Sequence, residues 1–234
     1  MVTQELDGER PVTGSLPVGG SVELWRLDTD RRAVGGHPVD TALLDDEERA
    51  RAGRFVRPRD RQRYLAAHVG LRVLLGGYLR LPPEDVVLVR EDCPGCGGPH
   101  GRPTLGGPGA GRLYFSLSHS ADVALMAFSG VRVGVDIEAV PGASVVTDLI
   151  NTLHPRETAE LMALPEAERP GGLGRVWSRK EACLKGTGAG IGAGLVEPYV
   201  GAGPAPAGTP GWTVRDVPAP PGFAAALAVA APAA

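Results

Sequence analysis

The sequence predicts an α+β fold built of two similar halves, and three observations predict it. Segments with helical apolar spacing and segments with strand-like alternation both occur along the chain. Each half offers helices followed by a pair of strands joined at a polar bend or a Pro-Gly turn. The plan then repeats loosely after a break near Gly130, as a duplicated α+β unit would.

The elements follow in order. Residues 1–20 are punctuated by Gly and Pro without periodicity, and a loose N-terminal tail is expected. The N-terminal half, 21–130, opens with SVELWRLD, an alternating strand. Two helical stretches follow, TALLDDEERARAGRF and RDRQRYLAAHVGLRVLLGGYL. In the second, Tyr64, Leu65, His68, Leu71, Leu75 and Leu79 recur at helical spacing. REDCPGCGGPHGRP is a turn-rich connection, and RLYFSLSHSADVALMAFSG reads as two strands around a short bend. The C-terminal half, 131–234, starts with the strand VRVGVDIEAV. Helices around HPRETAELMAL and RVWSRKEACLKG come next, with Gly186 ending the second. A Gly/Pro loop over 186–210 leads into GWTVRDVPAPPGFAAALAVA, two strands closing the chain.

Bulk properties narrow the function classes. A net charge of −3 over 234 residues argues against general nucleic-acid binding. MVTQELDGER is acidic and has no apolar segment, so no signal peptide is expected there. FAAALAVA is too short to span a bilayer. Three cysteines do not make a disulfide framework. A soluble, cytoplasmic protein is expected.

Of 24 lysines and arginines only two are lysine, Lys180 and Lys185, and both lie in WSRKEACLKG. A lysine is a compact point charge on a flexible stem, an arginine a planar fork. On a helix, Trp177 and Leu184 define a buried ridge, with Lys180 on one shoulder and Glu181 with Lys185 on the other. Glu181 and Lys185 also fit a surface i, i+4 pair, which leaves Lys180 unexplained. On the strand VRVGVDIE, alternation sends Asp136 and Glu138 to one face, with Cα atoms about 6.6–7 Å apart. Gly134 leaves the neighbouring surface bare for a ligand to approach. The plainer reading of that strand is a half-exposed edge with two solvated acids. Three carboxylates with two lysines suit a Mg²⁺ ion shared with substrate phosphates, the equipment of phosphoryl transfer.

Other segments carry charge or ligand atoms. Residues 49–63 hold seven arginines, Arg51 and Arg63 among them, for which a solvated surface is the bland reading. Arg102 lies in HGRP, and Ser118 and His119 in LSHS. A serine-hydrolase reading of that pair fails for want of G-x-S-x-G. CPGCGGPH offers Cys93, Cys96 and His100 as three ligands of a zinc site with no evident fourth, or else a metal-free Gly-rich turn.

HGRP, YFSLSHS, VGVDIE and WSRKEACLKG, in that order, resemble the motifs of the 4′-phosphopantetheinyl transferases of the surfactin-synthetase (Sfp-like) class. The match covers roughly residues 22–232. Arg102 stands where that family often has lysine, and Ser116 where asparagine is common. The resemblance implies a pseudo-twofold pair of α+β halves with the active site in the cleft between them. It implies transfer of the 4′-phosphopantetheine arm from coenzyme A to a serine of an apo acyl or peptidyl carrier protein, as polyketide and nonribosomal peptide synthesis require, releasing adenosine 3′,5′-bisphosphate. It assigns Mg²⁺ to Asp136, Glu138 and Glu181, and makes Glu181 the base, directly or through water. Lys185 would contact the pyrophosphate, Lys180 would support the same helix edge, and Glu157 would play a supporting role. Arg102, Ser118 and His119 would meet the coenzyme's phosphates, Arg51 its 3′-phosphate, with Arg63 and Tyr64 beside the nucleotide. A monomer is expected. A silent coenzyme-binding module should lack one carboxylate, and an RNA-binding protein should have no need of Asp136.

Overall fold

The alternation in VELWRLD folds as a strand in the computed structural model, which describes residues 2–8, 14–190 and 194–231. This strand, β2 (Val22–Asp28), lies between β1 (Thr3–Glu5), parallel to it, and β8 (Val123–Ser129), antiparallel to it. With β7 (Tyr114–Ser120) paired to β8, the order is β1-β2-β8-β7. The chain turns between β7 and β8 at Ala121, whose φ of 49° lies in the left-handed region.

β1 corrects the expectation of a loose tail over residues 1–20. Leu6 is 3% exposed and its N–H donates to Arg26 O at 2.8 Å, so one apolar anchor and a backbone ladder order the segment. Three residues are too few for alternation to show. Residues 9–13 of that stretch lie outside the described residues.

Small pairs and helices complete this part of the chain. β3 (Ala33–Val34) pairs with β4 (His37–Pro38), and β5 (Leu88–Arg90) with β6 (Pro103–Leu105). α1 (Asp46–Ala52) is shorter than the apolar pattern predicts. Asp45 caps it, accepting from Glu48 N while Glu48 returns to Asp45 N, and that reciprocal pair sets the start. α2 (Pro58–Leu79) matches its predicted span, with Pro58 in the first turn and Arg80 in the left-handed conformation after its end. Leu65, Val69, Leu74 and Leu75 of α2 pack with Leu27, Met126 and Phe128 of the sheet.

The second group of elements starts with β9 (Val133–Ala139). α3 (Ala143–Leu149), α4 (Pro155–Ala163) and α5 (Arg169–Thr187) follow, then β10 (Trp212–Asp216) and β11 (Phe223–Ala230). The strands form an antiparallel sheet, β10-β11-β9, with Asp136 opposite Ala226. Mixed helices and largely antiparallel sheets make the fold α+β. Contacts divide the chain into two units, Met1–Val89 with Thr104–Gly130, and Arg90–Pro103 with Val131–Ala234. The turn-rich segment thus belongs with the second unit, although it precedes Gly130 in sequence. Among the described residues no helix is long and apolar enough to cross a membrane.

α5 departs from its predicted bounds at both ends. It begins at Arg169 because Pro170 is tolerated in a first turn, and Gly172 is demanded by packing: a Cβ there would meet Leu161 Cδ2 at 2.7 Å. It ends at Gly188, φ 83°, whose N–H donates to Leu184 O, and not at Gly186. Gly186 lies inside the helix against the Trp212 ring, 2.6 Å from where its Cβ would stand.

Gly134 does the opposite of baring a surface for ligand. A Cβ on it would lie 2.0 Å from Ala182 O and 2.4 Å from Gly186 N, so the backbone of α5 rests directly on β9. Gly134→Ala is expected to lower unfolding free energy by about 3 kcal/mol or more, since two backbones must separate. Gly142→Ala, at φ −71° with open space around it, is expected to stay within about 0.5 kcal/mol of the parent in the same urea titration.

Candidate active site

The contact of α5 with β9 places three chemically relevant side chains together in the second unit. Asp136 sits on β9 at 0% exposure, and Lys185 Nζ stands 2.6 Å from its Oδ1. Glu181, one turn before Lys185, is 5% exposed, and its Oε1 is buried without a hydrogen-bond partner among the described residues. Burial, reinforced by the charges of Asp136 and Glu138 and opposed by Lys185, pushes the Glu181 carboxyl up to about 7. Glu138 is half-buried on β9.

Those carboxylates have the chemistry of a hard divalent cation site. An orphaned buried oxygen and a carboxyl raised by neighbouring acids are both relieved by a dication. They are not drawn together as a formed ligand set. Among the described residues, the cluster of three whose ligand atoms all lie within 4.8 Å of one another is Cys93, Cys96 and His100.

Lys180 corrects the reading of α5 as a ridge with charged shoulders. It is fully buried, and Trp177, expected on the ridge, is only half-buried. The buried ridge is Leu173, Val176, Lys180 and Cys183, so a lysine occupies a core position. Its three donors are all used, on Glu157 Oε2 at 2.9 Å, Pro198 O at 2.5 Å and Val196 O at 3.2 Å. Glu157, also 0% exposed, accepts Val200 N at 2.7 Å on its other oxygen. From α4, Glu160 adds bonds to the Tyr199 hydroxyl and to Ala202 N. Arg179 binds Asp216 through two nitrogens at 2.7 and 2.6 Å and Gly201 O at 2.6 Å. Lys180 and Glu157 therefore hold segment 196–202 against α4 and α5, and neither is grouped with Asp136 and Lys185. Residues 191–193 of the Gly-rich stretch after α5 lie outside the described residues.

Arg102, also of the second unit, is committed to protein partners. It binds Glu91 through Nε at 3.0 Å and one terminal nitrogen at 2.8 Å, and donates from the other to Gly186 O at 2.8 Å. The Glu91 carboxyl is held low chiefly by that Arg102 bond. This contact joins the segment before β6 to the last turn of α5, one residue from Lys185.

The remaining candidates lie in the first unit. Tyr64 stacks on His68 with centroids 4.0 Å apart and meets Phe55 at 5.3 Å, while the Arg51 guanidinium stands 6.0 Å from the Phe55 ring. Burial, with Glu48 and Asp45 nearby, raises the Tyr64 hydroxyl well above its ordinary range. Arg63 Nε is buried without a hydrogen-bond partner among the described residues, and Nη1 is 3.8 Å from Asp60. On β7, Ser118 is buried and its neighbour His119 is exposed, so the two side chains take opposite faces. Sequence reasoning missed Arg72, a 1% exposed cation that binds Glu48, Asp45 and the Val86 carbonyl. Its signal was a lone arginine inside an apolar helix.

Residues 132–210 match the family model described as the 4′-phosphopantetheinyl transferase superfamily. The chain is 37% identical over 173 residues to the 4′-phosphopantetheinyl transferase HetI of Nostoc sp., covering 73% of this chain and 70% of that protein. It is 33% identical over 197 residues to a phosphopantetheinyl transferase of Thraustochytrium sp., covering 75% of this chain and 64% of that one. With the 4′-phosphopantetheinyl transferase Sfp of Bacillus subtilis the figures are 24% over 151 residues, 64% of this chain and 62% of the relative.

Two outcomes follow from this geometry. Lys180→Ala leaves the buried Glu157 carboxylate without its cation and is expected to cost about 3–5 kcal/mol of stability in chemical denaturation. The Glu181 proton is held more tightly folded, with a pKa near 7, than at the ordinary 4.5. Its contribution to stability is full below that ordinary value and is lost as pH rises through about 7. In EDTA, Glu181→Gln, which cannot ionise, is therefore expected to gain on the parent by on the order of 2 kcal/mol between about pH 5 and pH 8. Thermal melts at the two pH values check it; a constant offset would show that Glu181 does not titrate in this range.

Proposed function

This chain belongs to the 4′-phosphopantetheinyl transferases, and on that premise we propose that it moves the phosphopantetheine arm of coenzyme A to a serine hydroxyl of an apo acyl or peptidyl carrier protein, with adenosine 3′,5′-bisphosphate as the other product. The Sfp-like class is the nearer assignment, supported by the order of HGRP, YFSLSHS, VGVDIE and WSRKEACLKG.

One observation carries the mechanism: Glu181 is a buried carboxylate, one oxygen of which has no hydrogen-bond partner among the described residues, one helical turn before the Lys185 that binds Asp136. We assign Glu181 to take the proton of the carrier serine, whose oxygen forms the new bond to phosphorus as the bond to the leaving nucleotide breaks. Mg²⁺, held by Asp136, Glu138 and Glu181, would supply charge neutralisation at the pyrophosphate. Lys185, 31% exposed at its side chain, is long enough to exchange Asp136 for a phosphate oxygen. Lys180 and Glu157 are positioning residues, since both are closed off in their own pair. Arg102 serves the reaction through its hold on Gly186 at the end of α5. In the first unit, Arg51, Arg63 and Tyr64 are the candidates for the nucleotide end of coenzyme A, and exposed His119 is preferred to buried Ser118 as a phosphate contact.

Intact-mass spectrometry of an apo carrier protein incubated with the chain, coenzyme A and Mg²⁺ tests the proposal. One added phosphopantetheine arm is expected, abolished by EDTA and lowered at least about a hundredfold by Asp136→Ala. Failure to modify several acyl and peptidyl carriers, with coenzyme A binding intact, would remove the transfer reaction. Activity that survives EDTA would remove the metal alone. Lys185→Arg keeps charge and changes shape, and a drop of about tenfold or more in turnover is expected from it.

A further inference from the structure

The segment 91–102 of the second unit contains no Val, Ile, Leu, Met or aromatic side chain apart from His100, yet it folds into a definite knuckle. Gly97 N donates to Cys93 O at 2.8 Å, Cys93 N to Gly98 O at 2.8 Å, and His100 N to Gly98 O at 2.8 Å. At the base, Glu91 N donates to Arg102 O at 3.1 Å and Gly101 N to Glu91 O at 2.9 Å. The left-handed conformation of Gly97, φ 72°, closes the turn, and the ligand atoms of Cys93, Cys96 and His100 gather there.

We propose that Cys93, Cys96 and His100 bind a thiophilic divalent cation, Zn²⁺ by ligand type, whose task is to staple this segment. Their Sγ, Sγ and imidazole nitrogen atoms lie within 4.8 Å of one another, and Cys96 Sγ is 3.0 Å from His100 Nε2. A sulfur–nitrogen edge of a tetrahedral zinc site is about 3.5 Å, so small side-chain rotations seat the ion. The pair of thiolates with an imidazole selects zinc over Mg²⁺, which requires oxygen ligands. The fourth position is left to water, because Cys96 and His100 are exposed and no further His, Cys, Asp or Glu joins the cluster among the described residues. Binding releases the thiol protons to solvent and forms two metal–sulfur bonds without change of oxidation state.

A metal here has a structural consequence. The knuckle carries Arg102, and Arg102 bonds Gly186 O of α5. A segment with no apolar core of its own gains its order from the ion, and it passes that order to the end of α5.

The test is metal analysis of the full-length chain, purified reduced and without chelator, followed by replacement with Co²⁺. About one equivalent of zinc per chain is expected, with a thiolate-to-cobalt charge-transfer band after replacement. Cys93→Ser, Cys96→Ser and His100→Ala are each expected to lose the zinc and the band. Cys183→Ser is expected to keep both, because Cys183 is buried in α5 with its thiol pushed up to about 11. A reduced, folded chain with neither zinc nor a cobalt band overturns the proposal, as does retention of zinc by all three ligand variants. A Cys93–Cys96 disulfide as the sole stable state of the purified protein overturns it as well. Since metal content is read without turnover, failure here leaves the transferase assignment standing, and loss of transferase activity leaves this site standing.

Discussion

At Gly134 the backbone of α5 rests directly on β9, and the candidate site depends on that approach. With no side chain on that residue, the Ala182 carbonyl and the Gly186 amide of α5 settle onto β9. One turn of the same helix then delivers Glu181 and Lys185 to Asp136. A helix held off by even a methyl group would carry Lys185 beyond the 2.6 Å bond it makes. Gly186 repeats the device against β10 of the same sheet, where the Trp212 ring presses against its backbone. Small residues here set the distance between charges.

Once the helix is seated, its charged residues divide into two kinds. Lys180 and Arg179 are enclosed and end on fixed acceptors, Glu157 and Asp216 together with loop carbonyls. Lys180 meets three acceptors belonging to three residues, an arrangement suited to the tetrahedral donors of an ammonium and poorly matched by a flat guanidinium. Asp216, by contrast, takes Arg179 through two parallel bonds, which the fork provides. The chain's preference for arginine is thus suspended for stated geometric reasons, in one case a closed socket and in the other a reach toward Asp136. Breaking such enclosed pairs costs more than their net contribution suggests, because the surviving partner stays buried.

The two metal sites proposed in this unit differ in ligand softness. Carboxylates at Asp136, Glu138 and Glu181 suit a hard cation and a phosphate substrate. Sulfur and imidazole at Cys93, Cys96 and His100 suit a borderline-soft one. They meet through Arg102, which leaves the knuckle and ends on the last turn of the helix that carries Glu181 and Lys185. Order in the knuckle and geometry at the helix end are therefore linked by one side chain.

By itself the sequence determined the element types and most of their order: β7 and β9 carry enough residues for a period of 2.0 to show, while α2, β8 and β11 stand out as apolar runs bounded by turn residues. It also determined the candidate chemistry, since Asp136, Glu138, Glu181 and Lys185 are spaced to share a strand face and a helix face. Short or interrupted elements escaped it: β1 has three residues, and the first turns of α5 contain Pro170, Gly171 and Gly172, which read locally as breakers. Only the tertiary structure decided that Gly134 receives a helix and no ligand, that Lys180 belongs to the core, that Arg102 ends on Gly186 and that Ser118 turns inward. The physical reason is common to all four. Periodicity records which face of an element is apolar, whereas the partner of a bare backbone or a buried charge is set by contacts between residues distant in sequence, which no local pattern encodes.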